Sequence, residues 1–159
     1  MTFTATCDLY DEHEEALGVL PATLKDFGGR IRFQGPAVTI KCFEDNSRIK
    51  ELSATPGHGR VLVVDGGGSL RCALLGDMIA KDLVDNGWAG AVIFGLVRDR
   101  AELAELDLGV KALGTIPRKS QRRGEGHVDL PIRIEGTQVN PGDTVVADED
   151  GVVILASGA

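Results

Sequence analysis

The chain has 159 residues, of which 43% are hydrophobic and 26% are charged. This length and composition are typical of one globular domain, and they exclude a disordered, collagen-like or coiled-coil chain. The sequence has 17 Lys and Arg against 24 Asp and Glu, a net charge of −7. Because such a surface repels phosphate backbones, direct binding to nucleic acid is not expected. We interpret residues 1–159 as a single domain.

The cysteine pattern indicates the cellular compartment in which the protein is expected. Cys7, Cys42 and Cys72 are odd in number and show no CxxC spacing. Together with the lack of a recognisable signal peptide, they predict reduced thiols and a cytoplasmic protein. No apolar run approaches the roughly 20 residues of a membrane-spanning helix, so no membrane segment is expected.

Helices and strands alternate over the first two thirds of the chain. Thr6 is the predicted N-cap of the first helix, and Gly35-Pro36 is predicted to separate the first two strands. The run 60–65 is apolar and β-branched, as in a strand buried on both faces. In chain order the predicted elements are a helix at 6–15, strands at 31–33 and 37–43, a helix at 45–52, a strand at 60–65, a helix at 76–86, a strand at 89–95, a helix at 99–106 and a strand at 110–116.

The last third of the chain has a different pattern. Residues 117–127, here called the basic loop, lack apolar periodicity and indicate a solvated loop or a subunit contact, with nucleic acid the less favoured interpretation. Short strands separated by turns follow at 131–134, 144–147 and 152–155. The sequence therefore predicts a mixed α/β fold whose C-terminal part is rich in strands.

Asp77, Arg98 and Asp99 are the candidate catalytic residues. The helix that begins at Gly76-Asp77 spans about 15 Å, and the strand after it spans about 20 Å, so the chain returns to where the helix began. The start of the helix then lies beside the end of the strand, where α/β sheets commonly bind ligands. Backbone amides without helical partners favour an anion there. They belong to Gly76, Asp77, Met78 and Ile79.

These residue types suit chemistry on a keto acid. Arg98 can hold a carboxylate through two hydrogen bonds, and Asp77 and Asp99 can hold a hard divalent cation directly or through water. A cation beside an α-keto acid polarises its carbonyl group and stabilises an enolate. In the structural alternative, Asp77 only caps a helix and Arg98-Asp99 is a solvated turn; the spacing alone leaves both open.

Segments along nearly the whole chain resemble the family of the regulator of ribonuclease activity A. The resemblance implies a swivelling β/β/α sandwich with a mixed sheet and a ring-shaped homotrimer. The family includes class II 4-hydroxy-4-methyl-2-oxoglutarate aldolases, which also decarboxylate oxaloacetate. A methyltransferase label once given to the family has no nucleotide-binding fingerprint to support it in this sequence. The matching segments are 27–30, 39–46, 61–69, 76–77, 95–99, 111–120, 140–143 and 148–152.

The resemblance assigns a role to each residue of the Asp-x20-Arg-Asp motif. Asp99 would bind the divalent cation, Mg²⁺ or Mn²⁺, and Asp77 would hold metal-bound water and assist proton transfer. Arg98 and the amides of residues 76–79 would bind the pyruvyl group. In the longer aldolases a neighbouring subunit supplies a further carboxylate, to which no residue of this sequence is assigned.

Two functions from different classes remain open. The first is a metal-dependent aldolase that cleaves 4-hydroxy-4-methyl-2-oxoglutarate to pyruvate and also decarboxylates oxaloacetate. The second is a protein inhibitor of ribonuclease E, which would bind that enzyme through its acidic surface. The complete acidic motif favours a metal site without excluding regulation.

Overall fold

The computed structural model describes residues 2–157. Within this range the helices are α1 (Thr6–His13), α2 (Ser47–Ser53), α3 (Asp77–Asp85) and α4 (Arg100–Leu103). The strands are β1 (Gly18–Val19), β2 (Lys25–Asp26), β3 (Phe33–Lys41), β4 (Val61–Asp65), β5 (Ala73–Leu75), β6 (Gly90–Val97), β7 (Gly109–Thr115), β8 (His127–Val128), β9 (Ile132–Ile134), β10 (Thr137–Val139), β11 (Thr144–Asp148) and β12 (Gly151–Leu155).

The main sheet is mixed and has ten strands. Its order is β1-β12-β11-β3-β4-β6-β7-β2, with β5 added beside β6 and β8 beside β3, while β9 and β10 form a separate hairpin. The central pairs β3–β4, β4–β6 and β6–β7 are parallel, whereas β11, β12, β1 and β2 join by antiparallel pairing. This arrangement confirms the predicted mixed α/β fold.

The sheet has a hydrophobic core on each face. Leu62 and Val64 pack in the core that includes helices α2 and α3, whereas Val61 and Val63 pack in the core shared with β9 to β12. All four side chains are fully buried. The alternation confirms that β4 is covered on both sides, which gives the β/β/α layering.

Strand β3 corrects the prediction of two strands separated by Gly35-Pro36. It is continuous because it exchanges partners: residues 33–36 pair with β11, and residues 37–41 pair with β4. A Cβ atom on Gly35 would lie 2.1 Å from the carbonyl oxygen of Gly59. The glycine therefore permits a close backbone approach instead of making a turn.

The start of α1 also differs from the prediction. The N-cap is Ala5, and Thr6 donates from its amide and its hydroxyl to the buried carboxylate of Asp148, at 2.9 and 2.7 Å. Asp148 ends β11, so this pair attaches the helix to the sheet. A tertiary carboxylate partner has replaced the local cap.

Several helix and strand boundaries in the structure differ from the predicted ones, because the elements concerned are short. Helices α1 and α4 end at His13 and Leu103, earlier than predicted. Five strands absent from the prediction, β1, β2, β5, β8 and β10, have only two or three residues each, too few to establish a periodicity. None of the helices within residues 2–157 combines the length and hydrophobicity needed to cross a membrane.

Candidate active site

The ends of β5 and β6 bring the predicted residues to one corner of the sheet. Gly76 follows β5 and is the N-cap of α3, while Arg98 and Asp99 follow β6. The amide of Arg98 donates to the carbonyl oxygen of Leu75 at 2.9 Å. The start of α3 is therefore held beside the end of β6, and Asp77, Arg98 and Asp99 lie together.

Asp99 is held in a specific orientation. Its backbone is left-handed, with φ 61° and ψ 47°, a conformation that aspartate adopts more readily than most residues. Its Oδ2 accepts a hydrogen bond from the amide of Asp77 at 2.9 Å, and its Oδ1 lies 3.9 Å from Nε of Arg98. The Asp77 amide lowers the pKa of Asp99, burial partly opposes this, and the charges of Arg98 and Lys119 add to it. Asp99 is therefore a stable anion.

The same hydrogen bond changes one expectation for substrate binding. The amide of Asp77 already donates to Asp99, so it is not free for a substrate oxygen in this arrangement. The amides of Gly76, Met78 and Ile79 remain candidates at the start of α3. Gly76 itself lies close to Asp99, because a Cβ atom there would be 2.8 Å from Oδ2 of that residue.

Arg98 has a donor that the fold leaves unused. Its side chain is 31% exposed, yet its Nε atom is buried and has no hydrogen-bond partner among residues 2–157. A buried unpaired N–H is unfavourable unless a ligand or water accepts from it. With the left-handed Asp99, this argues against the interpretation of Arg98-Asp99 as a solvated turn.

A cavity of about 280 Å³ opens at this corner, close to the lower end of the range for small-molecule sites, roughly 300 Å³. Reasoning from the sequence missed six of its lining residues, the apolar Ala73 and Leu75 and the polar Asn46, Lys119, Ser120 and Arg122. The concentration of basic residues after β7 is the available signal, although in the sequence alone it indicates a solvated loop or a subunit contact. The full lining comprises Asn46, Ala73, Leu75, Gly76, Asp77, Met78, Ile79, Arg98, Asp99, Lys119, Ser120 and Arg122.

The donor set at the corner restricts the kind of metal it suits. Within the described part of the chain, no group of three His, Cys, Asp or Glu side chains is placed to hold a metal ion. Asp77 and Asp99 offer two carboxylates. Mg²⁺ is commonly bound by one or two carboxylates, with water and substrate completing its shell, and Mn²⁺ favours the same oxygen ligands. The residues therefore fit an open site for such an ion and do not fit a closed zinc site.

The chain matches the model of a known protein family and is similar to named proteins. The family model described as RraA-like, Aldolase/RraA, matches residues 6–154. A protein of Alkalilimnicola ehrlichii named "Putative 4-hydroxy-4-methyl-2-oxoglutarate aldolase" is 54% identical over 149 residues, which cover 94% of this chain and 92% of that protein.

Two solved structures are similar over almost their entire length. The RNA-processing inhibitor RraA from Thermus thermophilus has a TM-score of 0.93 and 45% identity, covering 99% of this chain and 98% of that one. A Geobacillus kaustophilus structure named as an S-adenosylmethionine: 2-dimethylmenaquinone methyltransferase has a TM-score of 0.93 and 42% identity, covering 96% and 95%. The fold is thus shared with proteins that carry three different functional names.

Proposed function

The chain belongs to the RraA-like family, and from that membership we propose that it is a class II aldolase dependent on a divalent metal. It cleaves 4-hydroxy-4-methyl-2-oxoglutarate to pyruvate and also decarboxylates oxaloacetate. The observation that carries this proposal is the meeting of Asp77, Arg98 and Asp99 at one open cavity, with an unpaired Arg98 Nε and a carboxylate oxygen of Asp99 available. The names of relatives about half identical to this chain support it.

Cleavage requires the bond between C3 and C4 of the substrate to break. Its electron pair moves to C3 and gives the enolate of one pyruvate, while C4 becomes the keto carbon of the second after its hydroxyl loses a proton. Arg98 holds the carboxylate beside the keto group through its guanidinium, and Asp77 takes the hydroxyl proton and returns one to C3. Asp99 would hold a divalent cation, with Asp77 acting through water, and the positive charge of that cation would polarise the keto group.

Oxaloacetate fits the same arrangement. Its keto group and adjacent carboxylate bind as before, and carbon dioxide leaves in place of the second pyruvate. The enolate that remains is the same pyruvate enolate, so Arg98 keeps its role. Oxaloacetate has no hydroxyl proton to lose, so Asp77 only passes a proton from solvent to C3. One site therefore accounts for both reactions.

Assembly and location are part of the proposal. We expect a homotrimer, which is supported by large apolar side chains that the chain leaves exposed, among them Met78 at 80%, Leu70 at 64% and Phe43 at 58%. A cytoplasmic location is supported by Cys7, Cys42 and Cys72, which are free thiols.

Pyruvate release from both substrates in the presence of Mg²⁺ or Mn²⁺ tests the aldolase. The wild-type protein should release pyruvate from both substrates. Chelation of the metal should abolish this activity, and the Arg98→Met variant should lack it. Arg133→Met, on the exposed side of β9, removes an equal charge away from the cavity and should behave as wild type. Wild-type protein without metal-dependent turnover would defeat the proposal.

Inhibition of ribonuclease E is the second candidate function. It is favoured by the 45% identity to the Thermus RNA-processing inhibitor and by the net charge of −7, which suits a basic partner surface. A pull-down with ribonuclease E at low salt separates the two functions. Binding and inhibition that survive Asp99→Asn would support regulation through a surface other than the catalytic corner.

A further inference from the structure

One stretch of the basic loop is paired with strand β5. The amide of Ala73 donates to the carbonyl oxygen of Arg118 at 2.8 Å, and the amide of Ser120 donates to the carbonyl oxygen of Ala73 at 3.2 Å. Lys119 lies between these two bonds, in a parallel bridge with Ala73. The backbone that carries Lys119 is therefore fixed beside the cavity, although the loop has no regular secondary structure there.

The next stretch of the loop is fastened to the start of α2 by the buried carboxylate of Asp45. Its Oδ2 accepts hydrogen bonds from the amides of Arg123 and Glu125, at 2.7 and 3.2 Å. The hydroxyl of Ser47 also accepts a bond from the amide of Gly124 at 3.0 Å. Residues on both sides of Arg122 are thus held in place, which lowers the entropy cost of using its side chain to bind a ligand.

Two hydrogen bonds in series orient the side chain of Arg122. Its Nε donates to Oδ1 of Asn46 at 3.1 Å, and Nδ2 of Asn46 donates to the carbonyl oxygen of Leu74 at 3.0 Å. Asn46 is only 7% exposed, so its amide has a fixed position. The guanidinium is anchored through Nε, and no described residue accepts a hydrogen bond from its Nη atoms.

Ser120 provides an independent sign of a ligand. Its Oγ atom is buried at the cavity and has no hydrogen-bond partner among the residues that the structure describes. A buried hydroxyl without a partner is unfavourable. An anionic oxygen in the cavity would satisfy it.

The charges around the cavity are unequal. Three cationic side chains line it, those of Arg98, Lys119 and Arg122, against the two carboxylates of Asp77 and Asp99. In the proposed function a divalent cation balances the two carboxylates, and Arg98 pairs with the carboxylate beside the keto group. Lys119 and Arg122 then remain without an anionic partner.

We propose that Lys119, Ser120 and Arg122 form a second anion subsite, which binds the distal carboxylate of a dicarboxylate 2-oxo acid. This inference rests on the proposed function and adds the determinant of substrate class. The subsite selects dicarboxylates over pyruvate-like monocarboxylates, because only a dicarboxylate can reach Arg98 and the basic loop at once.

The two reactions should respond differently to loss of this subsite. In aldol cleavage the distal carboxylate keeps its charge, so its binding is the same in the ground and transition states, and losing it raises KM without changing kcat. In decarboxylation of oxaloacetate that carboxylate loses its charge as carbon dioxide leaves. Cations that bind it stabilise the ground state more than the transition state, so their removal should raise both KM and kcat.

Calorimetric titration with 2-oxoglutarate and with pyruvate, both in Mg²⁺, tests the subsite without turnover. The five-carbon dicarboxylate has no C4 hydroxyl and cannot be cleaved, and pyruvate has no distal carboxylate. Wild-type protein should bind 2-oxoglutarate more tightly than pyruvate. Lys119→Met and Arg122→Met should each weaken 2-oxoglutarate binding by about ten- to a hundredfold, and Ser120→Ala by less, with pyruvate binding changed by less than about twofold.

Arg118→Met is the matched control, because it removes the same charge from the same loop at a side chain outside the cavity lining. Lys119 has an exposed side chain, so its variant keeps the test valid even if Arg122→Met disturbs Asn46. Equal wild-type affinity for the two ligands, or equal weakening of both by the variants, would overturn the subsite. Wild-type protein that binds as expected but never turns over would refute the aldolase and leave the subsite standing.

Discussion

The amide of Asp77 donates a hydrogen bond of 2.9 Å to the carboxylate of Asp99, which lies 22 positions later in the sequence. The N-cap of α3 is Gly76, which has no side chain with which to cap the helix. Asp99 supplies that acceptor from the neighbouring strand end. One carboxylate thus fastens the helix with Oδ2 and presents Oδ1 towards Arg98.

The substitution Asp99→Asn removes the negative charge of this side chain but keeps an oxygen that can accept its hydrogen bond. Asparagine keeps an oxygen for the Asp77 amide and tolerates the left-handed backbone, so the thermal midpoint should change by less than about 2 °C. Without the negative charge the cation is lost, and metal-dependent decarboxylation should fall by at least about a hundredfold. The control is Asp107→Asn, which removes an exposed carboxylate paired with Arg30. Turnover preserved in Asp99→Asn would exclude a metal-binding role.

Gly76→Ala tests how closely the corner must be packed. The backbone φ of −131° suits alanine, but the new Cβ would lie 2.8 Å from Oδ2 of Asp99 and 3.1 Å from Cγ of Arg98. Both side chains must shift, and kcat/KM should fall by roughly ten- to a hundredfold. Gly114→Ala, whose Cβ would be 3.4 Å from Leu96, is the control. Steady-state kinetics unchanged by Gly76→Ala would show that the corner adapts freely.

Asp45→Asn should alter the dependence of stability on pH. Asp45 is 1% exposed; burial opposes its ionisation, but hydrogen bonds from Ser47, Arg123 and Glu125 outweigh it and lower its pKa from 3.8 to about 2. Because the folded-state pKa is the lower one, the stabilisation is complete above the unfolded-state value and is lost as pH falls from about 4 to about 2.

Urea denaturation at several pH values measures this effect. Between pH 5 and 2 the free energy of unfolding of the wild type should fall by about 2 kcal/mol more than that of Asp45→Asn. Parallel curves for the two proteins would mean that Asp45 does not hold the basic loop as an anion.

The substitution Lys111→Met should lower the stability of the fold through contacts that lie outside the cavity. Lys111 is 2% exposed, and its ammonium group donates to Asp26 at 3.2 Å and to the carbonyl oxygen of Asp148 at 2.7 Å. Burial raises the pKa of Asp26, and Lys111 partly offsets this. Removing the cation leaves a partly buried carboxylate unpaired, so the free energy of unfolding should fall by about 3 kcal/mol.

A double-mutant cycle checks that assignment. Lys111→Met combined with Asp26→Asn should cost less than the sum of the two single changes, since the unpaired charge is gone. The exposed neighbour Lys25→Met should have little effect. Additive losses would show that the two side chains do not act as a pair.

Elements with a local pattern could be predicted from the sequence. The apolar run at 60–65 is strand β4, and α3 and β6 lie close to their predicted bounds. The return of the chain from Asp77 to Arg98 also followed from length alone, because a helix and a strand have a known rise per residue. Short strands and the cap of α1 did not follow, since they depend on partners such as Asp148 that are distant in sequence.

The sequence by itself determined the mixed α/β pattern and the corner where Asp77, Arg98 and Asp99 meet, because periodicity and element length are local properties. The layers of the fold and the family followed from the resemblance of segments along the chain to a known family. Only the tertiary structure placed Lys119, Ser120 and Arg122 at that corner. Their loop has no periodicity of its own, and its position is set by hydrogen bonds to Ala73, Asp45 and Asn46, residues tens of positions earlier in the chain. Such contacts require the sheet to bring segments distant in sequence together.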